Sequence, residues 1–388
     1  MSVYSQYGSS IFDEEITANE SYAGLSGAFK MITDSIQNEH AIFEAVIEQD
    51  FAEAYNKINS AIVSESQLEV IQESGIKTVW SKVVEFIKTV GEKILGIIKT
   101  LKDRIQAVFI RDGKQLVNKY KKQVYEAYNT GKLAKMTFKY VEPAYRKDKK
   151  TLDDRLAASN LFVALNQLTK EKMTKVNPNR YDSKENPAYD PNGKQTELKP
   201  FTDEEKKDIF DDALNRIIGS NSDAKSFAKD FEEKFFGEVE EKEGLSKDLL
   251  DEIVKTLQTG KESLDQLDKE HKATSNKIKT LERDAKKVEK ETLELLRSAD
   301  AKLNTYKANV IASKVMALTS IWSNVSGRYY GALGAVIKKD LKQCRAIFVK
   351  AATYNHKKPA NEQVELLEAV EQVSNYEVDE MFADAEMI

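Results

Sequence analysis

The sequence predicts a mainly α-helical protein: an elongated helical bundle with a long coiled-coil-like helix and at most a small β-hairpin. The composition supports this prediction, because 41% of the 388 residues are hydrophobic, 32% are charged and only 6 are proline, a balance typical of soluble helical proteins. Apolar residues also recur at steps of three and four over long segments, which is the period of an amphipathic helix. No apolar run reaches the ~18 residues that a membrane-spanning helix needs.

A heptad ladder from Leu264 to Val310, which steps through His271, dominates the second half of the chain. Its steps alternate between three and four residues, the spacing of a seam on a helix that packs lengthwise against another helix. At about 1.5 Å per residue, a helix from Ser246 to Ser298 is a rod of roughly 80 Å. The apolar positions of the predicted interaction seam are Leu264, Leu267, Ile278, Leu281, Val288, Leu295 and Leu303.

Charge and composition divide the chain into six segments. Residues 1–73 are acidic, and the following stretch is strongly basic, although the net charge is only −5. Opposed blocks of this kind are typical of self-association or of docking on charged partners. The predicted segments are 1–73 (acidic helical), 74–131 (basic amphipathic helices), 132–200 (short strand and Pro-rich loop), 201–245 (short helices), 246–358 (long rod and apolar C-terminal helix) and 359–388 (acidic tail).

The basic segment predicts a helix over residues 76–110, separated from the acidic segment by a break at Gly75 and ended by a turn at Asp112-Gly113. One face of this helix is apolar and the others carry lysine. Such a face packs into a bundle, which we favour, or lies on an anionic membrane. Its residues include Trp80, Val84, Ile87, Ile94, Ile98 and Leu101.

The remaining segments carry local signals. Residues 136–141 alternate in polarity and predict a strand, and residues 176–200 predict an irregular loop that forms a small hairpin or an interface. Thr202 and Glu205 match a capping box before a helix over residues 203–218. Residues 152–173 predict one helix. Residues 312–354 predict one deeply packed helix, or two helices broken at residues 327–334.

No catalytic, cofactor-binding or metal-binding residue stands out. Asp268-x-x-His271 has a metal-ligand spacing, but carboxylate-bridged sites in bundles need two such motifs. Cys344 is the single cysteine; it excludes an internal disulfide and is interpreted as a small buried residue. The N-terminus has no secretory-signal pattern. The sequence therefore predicts a protein that is not an enzyme and needs no cofactor.

A basic stretch at residues 114–150 leaves nucleic-acid binding open as a weak alternative. Tyrosines interleave with its lysines and could stack on bases, whereas the overall pI of about 5.6 argues against an open nucleic-acid surface. Its last part, residues 146–150, is interpreted as a solvated basic loop, with phosphate binding as the alternative. The tyrosines are Tyr120, Tyr125, Tyr128, Tyr140 and Tyr145.

Five patterns occur in a suggestive order. An acidic N-terminal helix precedes Trp80-x-x-Val83-x-x-Phe86-x-x-x-Val90-x-x-Lys93-Ile94-x-Gly96, then Lys119-Tyr120-Lys121-Lys122-Gln123, then a long charged helix, and then Tyr329-Tyr330 through residues 345–355. This order resembles a group of virion structural proteins of large tailed bacteriophages, over about residues 20–125 and 250–356.

The resemblance implies a virion component present in many copies, assembled in the host cytoplasm, homo-oligomeric and in contact with other virion proteins. An internal head or core protein, similar to a scaffold, fits best. The alternatives are a membrane-active protein delivered with the genome and a neck, tail or baseplate component. Ile71-Gln72-Glu73 resembles sites cut by head-maturation proteases, so cleavage after Glu73 is a further hypothesis, although Leu366-Leu367-Glu368 shows that such tripeptides recur by chance.

Overall fold

A computed structural model of the chain describes residues 68–173, 200–219, 225–295 and 301–354, without the side chains of 68–76, Val108 and 301–306. All of these residues belong to one compact unit, residues 57–388. Helices account for 82% of them, and they contain one small two-stranded sheet, so the predicted mainly helical bundle is confirmed. The first 67 residues of the acidic segment, most of the Pro-rich loop and the acidic tail lie outside the described residues.

The elements follow one another with short connections. We number them in chain order. They are α1 (Leu68–Arg104), a π-helical turn (Ile105–Ile110), α2 (Arg111–Asn129), a 3-10 turn (Lys132–Lys135), β1 (Thr137–Tyr140), a 3-10 turn (Ala144–Arg146), α3 (Leu152–Leu156), α4 (Asn160–Leu168), α5 (Asp203–Ile218), α6 (Phe227–Phe235), β2 (Glu240–Glu243), α7 (Lys247–Thr259), α8 (Lys261–Leu295) and α9 (Ala301–Thr353).

Side-chain caps fix several helix starts. Thr202 and Glu205 form the predicted capping box of α5, which covers the predicted residues. Ser246 accepts a hydrogen bond from Leu249 N at the start of α7. Ser159 likewise accepts a hydrogen bond from Phe162 N at the start of α4. Because this cap starts a new helix, the single helix predicted over residues 152–173 is two short ones.

The predicted rod from Ser246 to Ser298 is interrupted. Gly260 adopts a left-handed conformation (φ +52°), which ends α7 and starts α8 in a new direction. The 35 residues of α8 span about 50 Å. The longest helix is α9, whose 53 residues run unbroken through residues 327–334 for about 80 Å and contact α1, α2 and α4–α8. The fold is therefore organised around α9.

The two breaks predicted around α1 are wrong. Gly75 lies inside α1, and Asp112-Gly113 lies inside α2. Between these helices the π-helical turn adds a residue to the helical repeat, which keeps the buried Ile105 and Ile110 on the packed side. Gly113 is needed for packing, because a Cβ at this position would come closer than 3.0 Å to the backbone carbonyl oxygen of Leu257.

Gly113→Ala should therefore destabilise the protein although alanine is the better helix former. We expect a loss of about 1–3 kcal/mol in the free energy of unfolding, since a backbone carbonyl cannot move aside. Gly96→Ala is the matched control, because Gly96 lies exposed in α1 with nothing near the added methyl group, and should stabilise by about 0.5–1 kcal/mol. Urea denaturation followed by circular dichroism measures both. Equal effects of the two substitutions would contradict the close approach of α2 and α7.

The predicted seam packs inside the chain. α8 lies along α1, and the seam residues Leu267, Ile278, Leu281 and Val288 are buried. At Gly91 of α1, Ile278 packs directly on the backbone. Leu264 and Leu295 are half-buried, and the side chain of Leu303 is not described. The seam is thus an internal interface and is not open to a second copy.

The apolar face of α1 is likewise buried. Trp80, Ile87, Ile94 and Ile98 are at most 1% exposed, and Val84 and Leu101 are half-buried. This face packs against α8 and α9, as the bundle interpretation predicts, and is not available to a membrane in this fold. In the described parts of the chain, no helix is both long and apolar enough to cross a membrane.

The predicted strand is confirmed, but its partner is distant in sequence. β1 pairs antiparallel with β2, with Thr137 opposite Glu243 and Lys139 opposite Glu241. Since almost 100 residues separate the strands, this sheet is not a hairpin. The inner side of β1 joins an apolar cluster with α2, α7 and the end of α9. Its residues include Val117, Val124, Phe138, Tyr140, Leu250, Ile253 and Phe348.

Candidate functional site

The described residues contain two buried polar networks, and both lie against α9. The first centres on Arg146, in the 3-10 turn that follows β1. Its Nε donates to Asp340 Oδ2 (2.8 Å) and its Nη2 to Asp340 Oδ1 (2.7 Å). Its Nη1 pairs with Glu252 of α7. Asp340 is fully buried and Arg146 is 8% exposed, so the bidentate pair joins the turn to α9 in a low-dielectric environment. The partly exposed Glu252 adds a link to α7.

Neighbouring side chains complete the Arg146 network. Tyr145 Oη donates to Asp340 Oδ2 (2.7 Å) and shares a hydrogen bond with Ser263 Oγ (2.9 Å). Cys344 Sγ lies 3.5 Å from Arg146 Nη2. Burial raises the pKa of the Cys344 thiol to about 12, and burial also raises the pKa of Tyr145 well above its ordinary value. Both groups are therefore neutral at physiological pH.

A cleft of ≈ 320 Å³ opens above the Arg146 network. Its walls come from the turn after β1, the end of α7 and the start of α8. Both acidic and basic side chains line it, including Glu142, Lys147, Lys255 and Glu262. Because Arg146 and Asp340 at its base neutralise one another, the cleft presents no concentrated charge to a ligand.

The second network centres on Glu270, a fully buried residue of α8. Glu270 accepts hydrogen bonds from the backbone N of Leu152 (2.9 Å), Tyr329 Oη (2.8 Å), Tyr330 Oη (3.1 Å) and Gln266 Nε2 (3.1 Å). Burial raises the pKa of its carboxyl, and the four donors oppose that rise. Glu270 thus holds the start of α3 and the middle of α9 to α8.

Asp153 lies next to this network with one carboxylate oxygen buried and without a hydrogen-bond partner. Burial raises its pKa to about 6; the charge of Lys277 lowers the pKa and that of Glu270 raises it. Lys277 donates to Asn166 Oδ1 (2.7 Å) and lies 4.1 Å from the centre of the Phe162 ring. Burial lowers the pKa of Lys277.

The raised pKa of Asp153 makes stability fall as pH rises. Between its ordinary value of 3.8 and about 6, the folded state holds a proton that the unfolded state has lost. This difference removes about 2–3 kcal/mol of stability over that interval. We therefore expect Asp153→Asn to gain about 2–3 kcal/mol relative to the natural protein between pH 4 and pH 7 in urea denaturation.

Asp208→Asn is the control for this pH effect, because Asp208 is an exposed carboxylate of α5. Its stability profile should run parallel to that of the natural protein. A constant offset between Asp153→Asn and the natural protein across the pH range would contradict the raised pKa.

The geometry of both networks suits structural contacts better than acid–base chemistry. Glu270 is saturated by four donors, and Arg146 and Asp340 neutralise one another. Ser263 is hydrogen-bonded to a neutral Tyr145, which cannot act as a general base at neutral pH. In the ranges that the structure describes, no group of three His, Cys, Asp or Glu side chains is placed to hold a metal ion.

Several residues singled out in the sequence are dispersed. Asp268 pairs with Lys102 across α1 and α8 (2.5 Å), and its neighbour in the motif, His271, is exposed. Tyr140 and Tyr145 are each 3% exposed, so they cannot stack on bases as the nucleic-acid alternative requires. The peptide bond after Glu73 lies within α1, and the side chain of Glu73 is not described.

The sequence patterns do not predict the roles of Arg146 and Glu270, for two different reasons. The solvated loop predicted for Arg146 is wrong, because this side chain is buried. Its partners lie 106 and 194 residues away along the chain, so no local pattern reveals them. Glu270 is compatible with the heptad pattern. The buried seam steps from Leu267 by three residues to Glu270 and then by four to Thr274, whereas the predicted ladder steps by four to His271 and then by three. The sequence alone allows either order, and only the first places a carboxylate in the core.

Comparisons with known proteins add nothing to this geometry. A scan against protein-family models found no match, and searches among curated proteins and solved structures likewise found none. The function must therefore be inferred from the residues themselves.

Proposed function

We propose that the protein is a non-enzymatic structural component of a bacteriophage particle, assembled in the host cytoplasm and located inside the head as a core or scaffold-like protein. One observation carries the structural part of this proposal: the buried ionisable groups at Arg146 and Glu270 are engaged in joining helices from distant parts of the chain. A body held in this way serves as a rigid spacer with a charged exterior. The place in a virion rests on the resemblance of the sequence patterns.

The two alternative functions differ in how well the fold supports them. The membrane-active alternative loses its main support, because the apolar face of α1 is occupied by α8 and α9. A neck, tail or baseplate component would share the same rigid body and differ only in its place in the particle. Self-association, if present, uses surfaces other than the buried seam.

Mass spectrometry and cryo-electron microscopy of purified particles of the phage that encodes this chain test the proposal. We expect many copies per particle, inside the head. Absence of the chain from purified particles would overturn the proposal, and a ring of fixed symmetry at the neck, tail or baseplate would assign it there. Peptides that span Glu73-Ser74 at full abundance in mature particles would contradict cleavage at that bond. A protease could reach the bond only if this part of α1 unwound.

A further inference from the structure

The end of α9 lies beside a cluster of exposed lysines. Gln123 Nε2 of α2 donates to the backbone oxygen of Ala352 (2.9 Å), and Tyr354 Oη donates to the backbone oxygen of Lys135 (3.3 Å). Lys119 and Lys122 precede Gln123 on α2 by four residues and by one. Both lysines are exposed, and so is Lys135. We call Lys119, Lys122 and Lys135 the exit lysines.

The exit lysines have few acidic residues near them in the part of the chain that the structure describes. No salt bridge there involves any of the three, and Lys119 Nζ only lies 5.3 Å from the centre of the Tyr120 ring. The acid nearest to them along α2 is Glu126, which is exposed. Exposed Glu243 of β2 lies near Lys135, because it is paired with Thr137 and the next residue, Gly244, donates to the backbone oxygen of Met136 (2.9 Å). Three ammonium groups against two carboxylates still leave a positive surface at the point where the chain leaves α9.

The chain that follows has the opposite charge. Residues 359–388 contain nine acidic residues and no lysine or arginine. The first four acids, Glu362, Glu365, Glu368 and Glu371, recur every three residues. An extended chain advances at most about 3.5 Å per residue, so Glu362 lies within roughly 28 Å of Tyr354. The acids are therefore tethered within reach of the exit lysines.

We propose that the exit lysines are the docking surface for residues 359–388 of the same chain. The short tether gives the segment an effective concentration in the millimolar range, which a free partner seldom reaches. Each exposed ion pair contributes only about 0.2–1 kcal/mol, so several must act together and salt must weaken them. The docking holds whether or not the protein belongs to a particle, and it screens the basic surface from nucleic acid.

Zero-length carbodiimide crosslinking of the full chain tests this assignment. We expect carboxylates of residues 362–386 to crosslink to the exit lysines at about tenfold the yield of crosslinks to Lys286, Lys287 and Lys290. The yield at the exit lysines should drop severalfold when the salt concentration is raised to 0.5 M. These three lysines are exposed on the far half of α8, which leads to the opposite end of α9. Equal yields at both lysine sets would overturn the proposal.

A mixture of 14N- and 15N-labelled chains separates docking within a chain from docking between chains. Crosslinked peptides should carry a single isotope label. Mixed labels in half of the crosslinked peptides would assign the surface to a second copy and overturn the intramolecular form.

A charge-neutral variant of the acidic segment provides a second readout. In Glu362→Gln/Glu365→Gln/Glu368→Gln/Glu371→Gln, acetylation of the exit lysines should increase about threefold, while acetylation of the α8 lysines should not change. The variant should also bind a single-stranded 30-nucleotide DNA about tenfold more tightly at low salt than the natural chain does. Unchanged acetylation, or DNA binding equal in the two proteins, would show that the segment does not cover this surface.

Discussion

Arg146→Met should cost about 3–5 kcal/mol of stability, because removal of one partner leaves a buried charge without compensation. The remaining charge is that of Asp340, which has no exposed surface. Burial of an uncompensated carboxylate is the main cost, and the methionine side chain fills most of the lost volume. Urea denaturation of the variant measures this loss.

Two further variants show whether the loss comes from the buried pair. Lys147→Met changes the neighbouring residue, whose side chain is 70% exposed and pairs with Glu142 at the surface. This variant should change stability by less than about 0.5 kcal/mol. Arg146→Met/Asp340→Leu removes both charges and should recover most of the loss, because apolar replacement of a whole buried pair is often neutral. A double variant as unstable as the single one would contradict an electrostatic origin.

Glu270→Ala should be the second strongly destabilising change. It deprives the hydroxyls of Tyr329 and Tyr330 and the backbone N of Leu152 of their acceptor in the core. Each buried donor left unsatisfied costs about 1–3 kcal/mol, so we expect a total loss of at least about 3 kcal/mol. Thermal and urea denaturation measure this loss, and near-ultraviolet circular dichroism should report the loosened tyrosines.

His271→Ala is the matched control for Glu270, because it changes the next residue of α8 on the exposed side of the helix. Its effect should stay within about 0.5 kcal/mol. Glu270→Gln, which keeps an acceptor oxygen, should lose less stability than Glu270→Ala. A larger loss at His271 than at Glu270 would show that the seam runs through His271, as the ladder in the sequence assumed.

Local patterns predicted the parts of the fold that depend on neighbouring residues. The cap at Thr202 and the buried seam position Leu267 both follow from residues within one or two turns of the helix. The turn predicted at Gly113 is wrong because glycine occurs both in turns and at close contacts between helices. Gly113 reads as a turn beside Asp112, whereas a carbonyl group 144 residues later requires it inside a helix.

The polar networks could be predicted only in part. The charge of Arg146 fits both a solvated loop and a buried pair, and only the arrival of Asp340 on α9 decides between them. Glu270 was closer to prediction, since the heptad steps place either it or His271 on the packed side of α8. Burial of a carboxylate is costly unless donors surround it, and those donors come from α3 and α9, which the period of α8 does not reveal.

The position of α9 near the end of the described chain has a consequence for biosynthesis. Ribosomes make the chain from its N-terminus, so α1, α8 and the turn that carries Arg146 are synthesised before Tyr329 and Asp340 are added. Until α9 is made, the apolar sides of α1 and α8 lack the helix that covers them. A nascent chain interrupted before α9 is expected to aggregate or be degraded, so a stable molecule requires synthesis through α9.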